Sequence, residues 1–302
     1  MDSVKIRLVG NMNSKHTKNI NAGVVFGLLS AVMFSVYAII NRHVFTTYEV
    51  DAFNYVVTFS IVTGACGLLA TIFNSDKSKF KESNFIQVVG VALLGISALS
   101  LFVFAQSQTT ATNAAVLSSL VILSTAFWSI PILGIKPVRK AYLWMVAIIV
   151  SVYLVISGFN TPSLNSGDII ILIALALFGA NNAYSKKLIP EFGAEFIIDF
   201  RMVLGAVLLV GYALIANTDL SFIVSNAGLW PVVAGIFSYL TILFTFKAMK
   251  HITATNALVL NISHIVITVF GSAIFLNESL TLLKVIGSVA ALYSIYRLVN
   301  LK

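Results

Sequence analysis

The 302-residue chain is 59% hydrophobic and 10% charged, whereas an ordinary soluble domain contains roughly 25% charged residues. Its 19 basic and 11 acidic side chains leave a net charge of +8 and are too few to cover a water-soluble protein of this size. This composition excludes a soluble enzyme, a disordered chain and, because Cys66 is the single cysteine, a disulfide-stapled secreted domain. A mean hydropathy of +0.97 favours a membrane over nucleic acid as the partner of this basic chain.

Long apolar runs follow one another along almost the whole chain. Crossing the hydrocarbon layer takes about 20 mostly apolar residues, and ten runs approach that length. The runs are continuous rather than alternating at every second residue, which favours helices over barrel strands. The predicted spans are residues 20–41, 51–73, 85–106, 111–134, 141–159, 168–185, 194–216, 229–246, 254–275 and 282–297. Residues 1–19 are polar and basic, and we expect them to form a flexible cytoplasmic tail.

The distribution of positive charge tests this layout independently of hydropathy. With the N-terminus inside, 16 of the 19 Lys and Arg residues fall on the cytoplasmic side, Arg42 and Lys284 fall outside, and Arg201 lies within a span. A missed or invented helix would scramble this alternation. The sequence therefore predicts both termini in the cytoplasm, and we expect the plasma (inner) membrane of a prokaryote.

An internal repeat divides the chain into two halves. The pentapeptide Thr-Ala-Thr-Asn-Ala occupies residues 110–114 and again residues 253–257, a shift of 143 residues that also places Phe53 on Phe196. Because each half holds five predicted helices, an odd number, the second half enters the membrane from the opposite side. The prediction is an all-α membrane protein of ten transmembrane helices, built as two inverted five-helix repeats over residues 20–160 and 164–302. Such repeats recur in secondary transporters, and gene duplication without transport is the alternative.

The segment from Ala248 to Ile295 resembles the drug/metabolite transporter superfamily, in particular its EamA-like members. The features that carry the resemblance are the sequence Phe-Leu-Asn-Glu-Ser at residues 275–279, followed by Thr281 and by Gly287 early in the last helix. The resemblance implies a transporter built from two five-helix halves.

Two features depart from that pattern. The family usually has a proline in the fourth and ninth helices, where this chain has Val121 and His264. The first half also lacks the loop glutamate, because Ile135 stands opposite Glu278. The resemblance to the superfamily does not depend on these positions, but it indicates no substrate-defined branch.

His264 is the first candidate for a solute-binding residue. It falls in the middle of a predicted span, where an ionisable side chain costs roughly 2.5–3.5 kcal/mol on insertion scales. Asn261 lies three residues earlier on the same helix face, and its counterpart in the first half is Ser118. We predict that these three residues line a central cavity; a neutral histidine bonded to a neighbouring helix is the alternative.

Four further residues complete the predicted substrate site. Asn181 and Tyr37 occupy equivalent positions in the first helix of each half, and Tyr239 is a candidate aromatic wall, with interhelical bonding or core packing as the alternatives. Arg201 either faces a water-filled vestibule and attracts an anionic or zwitterionic solute, or snorkels, or pairs with an acidic neighbour, Glu195 or Asp199.

Two further features have structural interpretations. We expect Glu278 to cap or orient the last helix, with proton coupling as the alternative. We expect the glycine pair Gly64 and Gly67 to permit close helix contact.

The sequence holds no motif typical of an enzyme, an ATP site or a metal centre, and its four histidines are scattered, so we predict no catalytic residue, no metal and no cofactor. The leading hypothesis is a secondary active transporter that moves or exports a small amino-acid-like, zwitterionic or anionic solute by alternating access. A proton or a counter-solute would drive it. A sugar-phosphate or nucleotide-sugar exchanger is the alternative, and it would require Arg201, Lys247 and His264 to meet in one cavity. A membrane-embedded enzyme or a non-transporting receptor is the third hypothesis.

Overall fold

The computed structural model describes residues 2–48, 50–73, 85–157, 164–218, 226–249, 251, 257 and 260–299. Every regular element within these ranges is helical. The helices are α1 (Asp2–Thr47), α2 (Ala52–Phe73), α3 (Phe85–Ala105), α4 (Ala111–Ser118), α5 (Val121–Leu133), α6 (Arg139–Ser157), α7 (Ser166–Phe192), α8 (Ala194–Ile215), α9 (Leu229–Met249, after a 3-10 turn at Asn226–Gly228), α10 (His264–Phe275) and α11 (Leu282–Val299).

Eight helical segments of the described chain are long and apolar enough to cross a membrane, and they correspond to the first eight predicted spans. They are Asn21–Thr47, Ala52–Phe73, Phe85–Ala105, Ala111–Leu133, Arg139–Ile156, Ser166–Phe192, Ala194–Ile215 and Leu229–Ala248. The described residues therefore contain eight such helices and not the ten predicted transmembrane helices. The segment Leu260–Phe275 is a shorter apolar helix, and α11 is not among the eight. Residues 254–256 and 258–259 of the predicted ninth span lie outside the described residues.

The first helix starts earlier than the hydropathy pattern suggests. It begins at Asp2 rather than near residue 20, so the segment predicted as a flexible tail is helical. No proline occurs between residues 2 and 47, and nothing else there stops a helix at the boundary between polar and apolar sequence.

Two helices are interrupted at equivalent positions of the two halves. The span Ala111–Leu133 divides into α4 and α5 at Ser119, whose backbone N–H bonds to the Val116 carbonyl at 3.1 Å. A second turn lies at Ser263, directly before α10, where the N–H bonds to the Leu260 carbonyl at 3.2 Å. Each bond reaches back three residues instead of four, which tightens the backbone locally. The breaks lie within two residues of Val121 and His264, the two positions that depart from the family's prolines.

The helices pack mainly between the halves. α1 lies against α9, α3 against α7, α2 against α8, and α6 against α11. Gly64 and Gly67 permit the close approach of α2 to α8, as predicted: a Cβ on Gly64 would touch that of Ala206, and one on Gly67 would lie 3.1 Å from the Asp199 carbonyl oxygen.

Hydrogen bonds between the halves join the loops at one end of the bundle. Asp168, at the start of α7, accepts hydrogen bonds from Thr109 Oγ1 at 2.5 Å and from Asn113 Nδ2 at 3.4 Å. Glu278 accepts hydrogen bonds from the backbone N–H groups of Ala111 at 2.8 Å and Thr112 at 3.2 Å. We call this end, defined by residues 109–113, 165–168 and 278, the tied end.

The expectation that Glu278 caps the last helix is therefore wrong. Its carboxylate caps α4, in the other half of the chain. The first N–H groups of a helix have no partner within the helix and carry partial positive charge, so they attract a carboxylate. Asn277, with φ at +53°, turns the chain directly before Glu278 in a conformation that asparagine tolerates better than most residues.

Candidate functional site

The two interrupted helices meet at His264. This residue begins α10 and is only 2% exposed, and its Nε2 lies 2.8 Å from the Oγ of Ser118 at the end of α4. Its Nδ1 lies 2.8 Å from the backbone carbonyl oxygen of Asn261. Because a carbonyl oxygen only accepts hydrogen bonds, Nδ1 must carry a proton. His264 and Ser118, both predicted to line a central cavity, are thus in direct contact with each other across the two halves.

Helix α1 covers the other side of the histidine. The Phe34 ring stacks on the His264 ring with centroids 3.8 Å apart, and the Tyr37 ring meets Phe34 edge-on at 4.9 Å. The hydroxyl of Ser35 donates to the His264 backbone carbonyl at 3.2 Å. Tyr37 therefore belongs to the same packed cluster as His264.

Asn261 extends this cluster toward α9. Its Nδ2 donates to Ser30 Oγ at 2.6 Å, and Ser30 Oγ donates in turn to the Thr241 carbonyl oxygen at 2.7 Å. The structure thus brings together four of the predicted residues, His264, Ser118, Asn261 and Tyr37. We call these four residues with Phe34 and Ser30 the central cluster. Its polar atoms bond across helices, and none of its members lines either of the two cavities described below.

Arg201 and Asn181 form a second pair, between α8 and α7. The guanidinium Nη1 donates to Asn181 Oδ1 at 3.2 Å, and Asn181 Nδ2 donates to the Val91 carbonyl at 2.7 Å. Asp199 instead accepts a hydrogen bond from the Tyr239 hydroxyl at 3.1 Å. Residues two positions apart on a helix point in different directions, which explains the separate partners of Arg201 and Asp199.

Tyr239, the last predicted residue, lies in a cavity of about 410 Å³ among α2, α8 and α9. Ligand cavities in proteins commonly span about 300–1,000 Å³ and are mostly apolar with a few placed polar groups. Here the polar groups are Asp199, Tyr239, Glu195 and Lys247, and Cys66 also contributes to the lining. The remaining wall is apolar: Leu69, Ala70, Phe73, Ile198, Ile236, Leu240, Leu243 and Phe246.

This cavity lies toward the end of the bundle opposite the tied end. Its lining includes Phe73 at the last residue of α2, Glu195 in the first turn of α8 and Lys247 in the last turn of α9. The start of α9 lies close to the C-terminal end of α1, since Trp230 Nε1 donates a hydrogen bond to the Tyr48 hydroxyl at 3.4 Å. Hydrogen bonds thus join the two halves at one end of the bundle, while a cavity of about 410 Å³ lies toward the other.

Several residues of the site were not predicted. The sequence suggested Asp199 only as an acidic partner of Arg201. It gave no role to the carboxylate of Asp168. The pattern Asn165-x-x-Asp168 is a recognisable capping box, in which each side chain bonds to the other's backbone N–H, so it could have marked the start of α7. Arg201, Lys247 and His264, which the exchanger hypothesis requires in one cavity, do not meet: Arg201 and Lys247 line different cavities and His264 neither.

Comparison with known proteins identifies the family. Residues 21–157 and 165–300 each match the EamA-like transporter family. The chain belongs to this family. It is an EamA-like membrane transporter of the drug/metabolite transporter superfamily and an integral multi-pass membrane protein. Proteins of the EamA-like family are generally transporters rather than enzymes.

Two individual proteins are similar to this EamA-like chain. The uncharacterized transporter YcbK of Bacillus subtilis (strain 168) is 24% identical over 152 residues, which cover 47% of this chain and 49% of YcbK. The chain therefore matches about half the length of that relative. A protein known from a crystal structure superimposes with a TM-score of 0.64 at 12% identity, over 92% of this chain and 98% of that one. That likeness concerns the fold alone.

Proposed function

We propose that the protein is a secondary active transporter that moves a small zwitterionic or anionic solute, such as an amino acid, by alternating access. The observation that carries the proposal is the meeting of the two interrupted helices, where Ser118 Oγ and His264 Nε2 lie 2.8 Å apart. In secondary transporters, helices broken at corresponding positions of two repeats mark the solute site.

The pattern of helix packing supports an inverted repeat of ten helices. Exchange of the two halves converts the contact of α1 with α9 into that of α7 with α3. The same exchange maps the contact of α2 with α8, and that of α6 with α11, onto itself. The family match likewise divides into one segment for each half. With ten crossings and the observed bias of positive charge, both termini lie in the cytoplasm.

The difference between the two ends supports alternating access. Lys247 belongs to the cytoplasmic side of the charge distribution, so the 410 Å³ cavity that it lines faces the cytoplasm and the tied end faces outward. A solute entering this cavity first meets Glu195 and Lys247 at the helix ends. It then meets Asp199 and Tyr239 deeper along α8 and α9. Opening of the tied end together with closure of the cavity would then expose the central cluster to the other side.

The proposed solute site has two parts. The central cluster supplies His264, Ser118, Asn261 and Tyr37, and it becomes accessible when the interrupted helices separate. Arg201 with Asn181 supplies a positive charge for the acidic end of the solute. A proton or a counter-solute provides the driving force.

Replacement of His264 tests the proposal. We expect His264→Ala to lower counterflow of a solute, selected by thermal-shift screening of amino acids, by about tenfold or more, the equivalent of about 1.4 kcal/mol. The variant should still insert and elute as the wild type does. The exposed His251, at the end of α9, provides the matched control, and His251→Ala should transport normally. Normal counterflow in His264→Ala would remove this residue from the site.

A further inference from the structure

The side chain of Arg201 borders a second, much smaller space. This space of about 10 Å³ lies between α2, α3 and α8, and it is large enough for about one water-sized group. The hydroxyl-bearing residues Ser60, Thr63 and Ser100 share its lining with Arg201. It is distinct from the cytoplasmic cavity, with which it shares no lining residue.

The guanidinium at this space lacks a counter-charge. Nη1 donates to the neutral side chain of Asn181, and the buried Nε has no acceptor among the described residues. Among the residues that the structure describes, no acidic side chain forms a hydrogen bond or an ion pair with Arg201. A guanidinium stays protonated in proteins, and a buried charge without a counter-charge strongly destabilises a fold.

Gly95 on α3 leaves the space that the Arg201 side chain occupies. A Cβ at this position of α3 would overlap Arg201 Cδ and would lie 3.0 Å from its Nη1. Gly90, on the same helix, has no such neighbour: a Cβ there would meet nothing within 4 Å. The glycine at position 95 therefore accommodates the arginine side chain.

We propose that the space bordered by Arg201, Ser60, Thr63 and Ser100 is an anion site. Its ligand is a small monovalent anion: either a halide, or one oxygen of a solute carboxylate. The guanidinium supplies the charge, and the Ser60 and Ser100 hydroxyls can donate hydrogen bonds to the same anion, whereas the Thr63 hydroxyl donates to the Ser60 carbonyl oxygen at 3.1 Å. The small volume excludes larger anions such as phosphate esters. If the ligand is a solute carboxylate, the inference rests on the proposed function, because it presupposes a transported solute. If the ligand is a halide, it does not.

Thermal unfolding of the purified full-length protein tests the site without any transport. Sodium chloride and sodium bromide are compared with sodium gluconate, a bulky anion, at equal ionic strength. A ligand that binds the folded state raises the unfolding temperature as its concentration increases. We expect chloride and bromide to raise the midpoint of the wild type, and we expect Arg201→Gln and Gly95→Ala to abolish that rise.

Two matched variants should keep the halide response. Gly90→Ala adds the same methyl group to α3 in open space. Arg42→Gln removes a different arginine, whose Nη1 already donates to the backbone carbonyls of Gln106 and Ser107 at 3.2 Å each. An equal rise in Arg201→Gln and the wild type, or no rise in the wild type, would overturn the proposal.

Two further measurements identify the bound anion and test the site in the wild type, so that the result does not depend on whether a variant folds. Competition of acetate or glycine with chloride would assign the site to a carboxylate, whereas a chloride effect that neither alters would assign it to a halide. Crystals of the wild type grown in bromide should show an anomalous peak beside the Arg201 guanidinium. Bromide absent from that position would contradict the inference even if Arg201→Gln does not fold. Failure of counterflow with intact halide binding would affect the proposed function alone.

Discussion

Ser118 has one hydroxyl proton but two acceptors within reach. Its Oγ lies 2.6 Å from the Ala115 carbonyl oxygen and 2.8 Å from His264 Nε2. With a neutral His264, the serine proton can satisfy Nε2 or the carbonyl oxygen, but not both. With a protonated His264, Nε2 donates to Ser118, which donates to Ala115. Rotation of one hydroxyl thus adapts the contact between the halves to either protonation state, as a proton-coupled step at this position would require.

Removal of this hydroxyl should weaken the folded protein. Ser118→Ala leaves His264 Nε2 without its partner on α4, and an unsatisfied buried polar group costs about 1–3 kcal/mol. Ser119→Ala is the matched control, because the buried Ser119 hydroxyl bonds only within its own helix turn, to the Val116 carbonyl at 2.6 Å. Equilibrium unfolding of both variants in detergent measures the difference. Equal losses of stability would show that the contact between the halves contributes nothing.

At the scale of helices, the interruption of α4–α5 persists without a proline. Ser119 Oγ donates to the Val116 carbonyl at 2.6 Å, and Ser263 Oγ donates to the Leu260 carbonyl at 2.5 Å. A serine that bonds back to a carbonyl competes with the helical backbone and bends the helix. The departures at Val121 and His264 therefore alter the residues at the two breaks but leave the breaks in place.

The sequence predicted helices better than it predicted contacts between them. Apolar runs located the first eight spans, and the high energetic cost of an intramembrane histidine singled out His264. The sequence favoured a cavity-lining role for this residue, whereas the structure shows the alternative arrangement, a hydrogen bond to a neighbouring helix. The partner of Glu278 was beyond prediction, because 167 residues separate it from Ala111 and a loop carboxylate can cap any helix start that the fold brings near. Likewise, no local sequence pattern predicts that Asp199 and Tyr239 border a cavity formed by three helices.

Alanine substitutions at two glycines, one at the contact between α2 and α8 and one away from it, should change the stability of the protein in opposite directions. Gly64→Ala would drive its new methyl group against Ala206, and such overpacking typically costs about 1–3 kcal/mol. Gly211→Ala, on α8, meets nothing within 4 Å and should stabilise its helix by about 0.5–1 kcal/mol. Thermal unfolding of the two variants distinguishes these outcomes. A Gly64→Ala protein as stable as Gly211→Ala would mean that α2 and α8 separate without loss.

For the whole molecule, the proposed alternating-access cycle assigns the tied end and the 410 Å³ cavity to one of its two conformations. Asp168 and Glu278 both belong to the second half, and each bonds to the segment around residues 109–113 of the first. The first half has Ile135 where the second has Glu278, so it cannot supply the equivalent carboxylate to the opposite end. Under the proposed cycle, we expect this asymmetry between the halves to favour closure of the tied end over closure of the cavity when no solute is bound.

Cys66 provides a direct measure of that balance. It is the single cysteine of the chain, and it lines the 410 Å³ cavity. Glu278→Gln removes the negative charge that holds the start of α4, an interaction worth about 0.4–1 kcal/mol, which corresponds to about a twofold to fivefold shift in population. We therefore expect a membrane-impermeant maleimide to label Cys66 about twofold to fivefold more slowly in Glu278→Gln vesicles, when it is added on the cavity side. Asp51→Asn is the matched control, because Asp51 caps α2 of its own half by accepting from the Asn54 N–H at 2.9 Å. Wild-type labelling in Glu278→Gln, or equal slowing in Asp51→Asn, would show that the tied end does not govern access to the cavity.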